Sequence, residues 1–241
     1  MRIGYDAKRY FHNRSGLGNY SRDLVRIMHT YYPTHDYSLY AAKPPSDLVT
    51  EELPIRSPQK GFINRMFPSY WRSRGIVQDL EQDGVDVFHG LSGEIPIGLE
   101  QTRIKSIVSI HDLIFLRLPQ LYKPLDRAIY TKKFKYAVRY ADRIIAISKQ
   151  TKQDIVHFSN IAPEKVDVIY QGCHSAFKRE TSPEKLADVR KQYKLPATFI
   201  LNVGSIGPRK NAFQIVKAIE NIDVPLVLVG KETSYSNQIK Q

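Results

Sequence analysis

Short apolar runs alternate along this chain with longer stretches in which apolar residues recur every third or fourth position. A short apolar run is typical of a buried strand, and the longer period is typical of a helix that packs one face against a core. Strands are predicted over residues 2–7, 37–42, 85–88, 104–110, 143–147, 166–170, 198–203 and 224–229. The clearest helical patterns cover residues 17–31, 70–82, 125–140 and 212–219. This alternation predicts an α/β fold with a doubly wound, parallel, Rossmann-like sheet.

The pattern divides the chain into three parts. Residues 1–172 form one series of strands and helices, and residues 173–197 read as a linker that carries a single helix, begun by the cap and proline signals of Ser182 and Pro183. Residues 198–241 begin a second Rossmann-like unit with only two strands. Because a two-stranded parallel sheet is a poor independent fold, we expect this second domain to be incomplete. Either the chain is part of a longer protein or another chain supplies the missing strands.

A pair of cations stands at a helix start in the second unit. The apolar run ends at Gly204, a turn follows at Gly207 and Pro208, and Arg209 and Lys210 precede the helical pattern. A helix N-terminus favours anions over cations, so two adjacent cations there indicate a bound anion such as phosphate. The alternative is two solvated charges in a surface loop.

Glycines also follow the first predicted strand. Residues 11–19 read as a loop that contains Gly16 and Gly18 and leads into a helix. Such a loop lets backbone amides approach a phosphate. The match to a dinucleotide-binding fingerprint is poor because Ser21 occupies the third glycine position and the loop is too long. A plain turn is the alternative, and a dinucleotide-dependent dehydrogenase is disfavoured.

Two histidines lie at the carboxyl ends of predicted strands, where open α/β sheets bind ligands. His89 follows the strand at 85–88, and His111 follows the strand at 104–110. We predict a functional role for His111 and a hydrogen-bonded structural role for His89.

Composition adds a strong positive charge. The chain has 241 residues, of which 42% are hydrophobic, and its formal net charge is +12. The charge predicts anionic partners, namely phosphorylated ligands, an acidic membrane surface or nucleic acid. No nucleic-acid-binding motif is present, so we expect no nucleic acid partner. The chain has a single cysteine, Cys173, and it shows neither a signal-peptide pattern nor a run of about 20 apolar residues. These features predict a cytoplasmic protein.

The segment from residue 53 to residue 78 mixes cations with bulky apolar side chains and contains no acid. Its cations are Arg56, Lys60, Arg65, Arg72 and Arg74. Its large apolar residues include Phe62, Met66, Phe67, Tyr70 and Trp71. This mixture suits peripheral binding to the inner face of an acidic membrane. The alternative is a solvated basic face over ordinary core aromatics.

Several motifs, taken in order, resemble one family. They are SGLGNYSRDL (15–24), HDLIFLRLPQLY (111–122), ADRIIAISKQTKQDI (141–155), KVDVIYQG (165–172) and ILNVGSIGPRKN (200–211). Together they resemble the retaining glycosyltransferases of family four, which have the two-domain GT-B architecture. The segment at 111–122 is most similar to bacterial mannosyl- or rhamnosyltransferases that build surface polysaccharides.

The resemblance implies a function and a set of site residues. A hexose, with mannose as our expectation, would pass with retention from a nucleotide-diphosphate sugar to a glycan or lipid-linked acceptor. The acceptor would bind the N-terminal domain, and the donor would bind mostly the C-terminal domain. Arg209 and Lys210, together with Gly204, would hold the donor diphosphate. Gly16 and Gly18 would lie beside the phosphates. His111 would lie near the transferred sugar. No metal or cofactor is expected, because the cations and the helix dipole neutralise the charge.

One departure from the family pattern affects activity. The family has two glutamates eight positions apart in its C-terminal domain, but here Glu232 is the only late glutamate and position 240 is Lys240, so we expect that pair to lie beyond the end of this chain. We therefore expect this chain alone to have little or no turnover. A non-catalytic module that binds diphosphate or acceptor and acts with a partner subunit remains the alternative.

Overall fold

The computed structural model describes residues 1–43, 52–58 and 62–239. It contains two compact units, Met1–His174 and Ser175–Gln241. Cys173 is exposed near the end of the first. The second contains the helix that the sequence analysis assigned to a linker as well as the late pair of strands.

The first unit is built on a seven-stranded parallel sheet in the part of the chain that the structure describes. The strands stand in the spatial order β3-β2-β1-β4-β5-β6-β7, which confirms the doubly wound α/β fold. Their bounds are β1 (Arg2–Asp6), β2 (Asp36–Tyr40), β3 (Ile55–Arg56), β4 (Val87–Gly90), β5 (Lys105–Ile110), β6 (Arg143–Ala146) and β7 (Val166–Val168).

Helices connect these strands. They are α1 (Lys8–His12), α2 (Gly16–Tyr31), α3 (Phe62–Met66), α4 (Pro68–Tyr70), α5 (Ile76–Gln82), α6 (Ile114–Arg117), α7 (Pro124–Tyr140) and α8 (Lys149–Ser159). A π-helical turn, Trp71–Gly75, joins α4 to α5. Short 3₁₀ turns lie at Leu99–Gln101, Pro119–Leu121 and Pro163–Lys165. Ser148 caps α8, because its hydroxyl oxygen accepts a hydrogen bond from the Thr151 N–H at 3.0 Å.

The core follows from the apolar runs. Buried residues of β5 and β6 pack against α7 and α8, and buried residues of β1 and β2 pack against α1 and α2. A third cluster lies under α5 and includes Trp71, whose indole N–H donates to Asp79 at 2.6 Å. Burial on both sides of the sheet explains why the strand segments are apolar runs rather than alternating patterns.

The predicted glycine loop at residues 11–19 is wrong. Helix α1 already occupies residues 8–12, and Gly16 and Gly18 lie in the first turn of α2. The intervening residues 13–15 are held by the Asn13 carboxamide oxygen, which accepts from the N–H groups of Ser15 at 2.8 Å and Gly18 at 3.1 Å. That side chain takes the place of a helix cap, so no long loop is required.

The basic segment divides into buried and exposed parts. Trp71 is a core residue, as one interpretation expected, but the other four large apolar side chains of the segment are exposed. These are Phe62, Met66, Phe67 and Tyr70. Of the cations, Lys60 lies outside the described residues. Among the described residues, no helix is long and apolar enough to cross a bilayer.

The second unit contains α9 (Pro183–Gln192), β8 (Ile200–Val203), α10 (Ala212–Ala218) and β9 (Leu226–Val229). The two strands pair in parallel, with Ile200 opposite Leu226. The predicted cap of α9 is confirmed, because the Ser182 hydroxyl oxygen accepts from the N–H of Lys185. Apolar side chains on both strands, Leu201, Val203 and Val229, remain exposed.

Candidate functional site

The strand order of the first unit reverses at β1. This strand pairs with β2 on one side and with β4 on the other. In open α/β sheets the connections leave such a point in opposite directions, and the crevice at the carboxyl ends of the strands binds ligands. Here the crevice lies at the carboxyl ends of β1, β4 and β5, where Asp6 ends β1 and Leu91 and His111 directly follow β4 and β5.

His111 directly follows β5 and is held on two sides. Its Nε2 lies 3.0 Å from the Leu91 carbonyl oxygen, and its Nδ1 lies 3.2 Å from the side-chain nitrogen of Gln171. The ring of Tyr20 meets the imidazole edge-on, with 4.6 Å between ring centroids. Burial lowers the pKa of His111, and the Leu91 carbonyl and Asp112 oppose this effect only in part. The imidazole is therefore neutral near pH 7.

The backbone of His111 also has a partner. Its carbonyl oxygen accepts a hydrogen bond from the Thr151 hydroxyl at 3.0 Å. A carbonyl has a second lone pair, so the group keeps one acceptor position. The resemblance implied that His111 orients a hydroxyl group or stabilises positive charge through its backbone. Both roles stay predictions, and the ring nitrogens and the carbonyl oxygen that would perform them already have hydrogen-bond partners.

Helix α2 brings the predicted glycines towards His111. Gly18 is buried, and a Cβ at this position would overlap the carbonyl oxygen of Asn13. Gly16 is exposed, and a Cβ there would meet nothing within 4 Å. Tyr20, in the next turn, carries the contact with His111. Close packing against Asn13 thus explains why residue 18 is a glycine, whereas Gly16 is accessible to a ligand.

His89 lies within β4 rather than after it, and its Nε2 has a hydrogen-bond partner. Its Nε2 lies 2.8 Å from the Ser109 hydroxyl, which lies 2.7 Å from the hydroxyl of Tyr20. Burial lowers the pKa of His89 to about 3, and His111 adds to this effect. The buried chain of hydrogen bonds fastens α2 to the sheet, which agrees with a structural role for His89.

A network of buried charges, absent from the sequence analysis, lies at the end of β1. Arg72 donates from Nε and Nη2 to the Asp6 carboxylate, with the shortest distance 2.5 Å, and from Nη1 to Glu94 at 2.7 Å. Lys133 donates to the same Glu94 oxygen at 2.8 Å. Burial opposes the charged form of Asp6, but the Arg72 charge and hydrogen bonds outweigh it, so the pKa of Asp6 is lowered.

The charged network closes one end of a chamber of about 310 Å³. The rest of its wall is largely apolar and comes from β4, the loop before residue 98 and α7. The apolar lining includes Phe88, Ile95, Pro96, Ile97 and Ile129. No feature of the sequence pattern alone identified this chamber, because its wall combines residues that lie up to 130 positions apart.

In the second unit, Gly204 directly follows β8 and has a φ of 156°, which favours glycine. A turn follows, in which the N–H groups of Lys210 and Asn211 donate to the Gly207 carbonyl at 3.0 and 3.1 Å. Arg209 and Lys210 stand in this turn immediately before α10, and both side chains are exposed. The Lys210 Cε lies 3.9 Å from where a Cβ on Gly204 would stand, so Lys210 extends back over that glycine.

Within residues 1–43, 52–58 and 62–239, no cluster of three or more His, Cys, Asp or Glu side chains could hold a metal ion.

Comparison with known proteins extends this description. The Glycosyltransferase Family 4 model matches residues 14–177. The serotype-specific mannosyltransferase WbdA of Escherichia coli is 30% identical over 158 residues, which cover 61% of this chain and 19% of WbdA. The O-antigen chain mannosyltransferase B of Escherichia coli is 25% identical over 152 residues, which cover 60% of this chain and 38% of that protein.

Solved structures share the fold. HepE of Anabaena in complex with UDP has a TM-score of 0.65 at 16% identity, with 100% of this chain and 64% of HepE covered. WaaG, a glycosyltransferase involved in lipopolysaccharide biosynthesis, has a TM-score of 0.63 at 14% identity, with 99% of this chain and 66% of WaaG covered.

The chain thus has a fold of the GT-B type. The chain belongs to Glycosyltransferase Family 4, whose model matches more than half of it. It spans about a fifth of the length of WbdA, and less than two thirds of HepE.

Proposed function

We propose that the protein to which this chain belongs transfers a hexose from a nucleotide-diphosphate sugar to a glycan or lipid-linked acceptor, with retention of anomeric configuration. The observation that carries the proposal is the placement of Arg209 and Lys210. Both stand exposed between the Gly204 turn and α10, and neither forms an ion pair with any residue that the structure describes. Two cations so placed have free donors for a diphosphate.

Their chemical task would be electrostatic. When the bond between the sugar and the diphosphate breaks, negative charge grows on the leaving group, and preorganised cations stabilise that charge more than the ground state. The proposal assigns this neutralisation to Arg209 and Lys210 rather than to a metal ion. Transfer is therefore expected to persist in EDTA.

Mannose is the sugar we propose, supported by the names of WbdA and mannosyltransferase B. The structure of HepE contains UDP, so we propose both guanosine and uridine diphosphate sugars as donors to be tested. The test is to assay transfer from GDP-mannose and UDP-glucose to saccharide and lipid-linked acceptors, and to determine the anomeric configuration of the product by NMR. Product with inverted configuration would contradict retention.

The acceptor is proposed to bind in the first unit, at the carboxyl ends of its strands. The crevice beside His111 offers polar groups for a saccharide, and the apolar chamber beside Arg72 offers a site for the hydrophobic part of a lipid-linked acceptor. Replacing Ile97 in the chamber wall by Trp would reduce its volume. We expect this change to raise KM for a lipid-linked acceptor and leave KM for a soluble saccharide acceptor unchanged.

Peripheral binding to the cytoplasmic face of a membrane is part of the proposal. Phe62 and Phe67 are exposed by 77% and 59%, and they stand in a segment rich in cations. Exposed rings beside cations suit the interface of an acidic bilayer. Co-sedimentation with anionic vesicles should fall when both are replaced by Asp. The matched control is Phe177→Asp, since Phe177 is exposed by 83% outside this segment.

Turnover by the 241-residue chain alone is expected to be low, because Glu232 has no second glutamate at the family spacing of eight positions in this chain. If the chain binds diphosphate but shows no transfer even with the rest of its protein, the alternative of a binding module that acts with a partner subunit is favoured.

A further inference from the structure

The position of one proton on His111 follows from its surroundings. A carbonyl oxygen can only accept, so the 3.0 Å contact with Leu91 requires a proton on Nε2. In a neutral imidazole the other nitrogen then carries a lone pair. The group that faces this lone pair, 3.2 Å away, must therefore be the Gln171 amide N–H₂ and not its oxygen.

We propose that Gln171 is a positioning residue for His111, which holds the ring in the neutral Nε2–H tautomer and keeps Nδ1 as an acceptor for a hydroxyl group of the sugar. The catalytic consequence rests on the proposed function. The tautomer does not, because it follows from the contact with the Leu91 carbonyl and the neutral charge of the ring.

The location of Gln171 supports displacement by a ligand. It belongs to the extended segment after β7, which the Ile169 N–H fastens to the Ala146 carbonyl at 3.0 Å. The Gln171 side chain is exposed, whereas Leu91 is buried. Of the two partners of the ring, the amide is thus the one that an incoming hydroxyl can replace. The hydroxyl would donate its proton to Nδ1, as the amide does.

Other charged and titratable groups act on the same ring. Asp112 raises the pKa of His111 and Arg9 lowers it, but burial is the largest effect. Tyr20 presents its ring edge-on, and its hydroxyl is engaged by Ser109. A substitution at Gln171 therefore changes the hydrogen-bond partner of Nδ1 and leaves Asp112, Arg9 and Tyr20 in place.

Gln171→Glu is the decisive variant. A carboxylate can only accept, so Nδ1 must gain a proton to meet it, while Nε2–H still donates to Leu91. We expect the pKa of His111 to rise, because an adjacent opposite charge favours the imidazolium. The matched control is Gln82→Glu, which adds the same charge at an exposed position at the end of α5.

The measurement is two-dimensional ¹H–¹⁵N NMR of the histidine rings in the 241-residue chain, with the His111 signals assigned from a His111→Gln variant. The wild type should show the Nε2–H tautomer, Gln171→Glu should become doubly protonated at a higher pH than the wild type, and the control should match the wild type. A wild-type Nδ1–H tautomer, or an unchanged ring in Gln171→Glu, would overturn the proposal. Circular dichroism verifies that each variant folds.

A kinetic arm separates this inference from the proposed function. Gln171→Met keeps the length of the side chain and removes its donor. In the complete transferase we expect this variant to lower kcat and Gln171→Glu to shift the acid limb of the pH profile upwards. If no transfer is found at all, the proposed function fails while the NMR result still decides the tautomer. If transfer is found and neither variant changes kcat or the pH profile, the positioning role is refuted.

Discussion

Removing the Arg72 side-chain charge should strongly destabilise the first unit. Arg72 donates to Asp6 and Glu94 from three nitrogen atoms, and the side chains of Arg72 and Asp6 are only 13% and 6% exposed. In Arg72→Met, the Asp6 carboxylate would remain buried without its partner. Loss of one member of a buried pair costs about 3–5 kcal/mol. Because three donors are lost together, we expect a value towards the upper end of this range.

The assay is urea unfolding followed by the fluorescence of Trp71, the single tryptophan, which is 1% exposed and reports on the first unit. The matched control is Arg74→Met, since Arg74 is exposed two positions away. The control should change the free energy of unfolding by no more than about 0.5 kcal/mol. The double variant Asp6→Asn with Arg72→Met should recover part of the loss, because no charge is then left buried.

The pH dependence provides a second test of the same pair. The pKa of Asp6 is lowered in the folded state, so its contribution is present above pH 3.8 and is lost as the pH falls through the folded value. The gap between wild type and Arg72→Met should therefore narrow below about pH 4. A variant that is as stable as Arg74→Met at pH 7 would refute the reasoning.

Two further predictions concern α2 and the sheet. Gly18→Ala should destabilise the unit by about 1–3 kcal/mol, because the added Cβ meets the backbone of Asn13. Gly16→Ala should be neutral or stabilising by up to about 1 kcal/mol, because the added Cβ meets nothing within 4 Å. Urea unfolding midpoints of the two variants test this difference, and equal midpoints would contradict it. His89, with a pKa of about 3, stays neutral where an unfolded histidine gains a proton, so wild-type stability should fall by about 1.4 kcal/mol per pH unit between about pH 6 and pH 3 through this residue. In His89→Asn that part of the slope should disappear, and parallel stability curves against pH would show that His89 is not responsible.

Sequence reasoning succeeded where the signal is local. Continuous apolar runs such as residues 104–110 predicted strands because both faces of a parallel sheet are buried. The cap Ser182 was predicted correctly because the capping hydrogen bond spans only three residues. The strand β3, two residues long, gave no apolar run to detect.

It failed where long-range contacts decide the structure. Asp6 and Arg72 are 66 positions apart, and only the fold shows that they meet. The glycines at 16 and 18 were read as a loop because glycine is a poor helix former, but the side chain of Asn13 provides the missing cap. Gln171 reaches His111 across 60 positions, because the carboxyl ends of parallel strands converge on one edge of the sheet.

The donor site is the central claim, and its most direct test is binding of GDP to the chain, followed by ³¹P NMR. Arg209→Ala with Lys210→Ala should weaken GDP binding by at least about tenfold, because each charge-assisted hydrogen bond contributes about 1.5–3 kcal/mol. The control Arg190→Ala with Lys191→Ala removes two adjacent exposed cations from α9 and should bind GDP like the wild type. Equal affinity of both double variants would contradict a diphosphate site at Arg209 and Lys210.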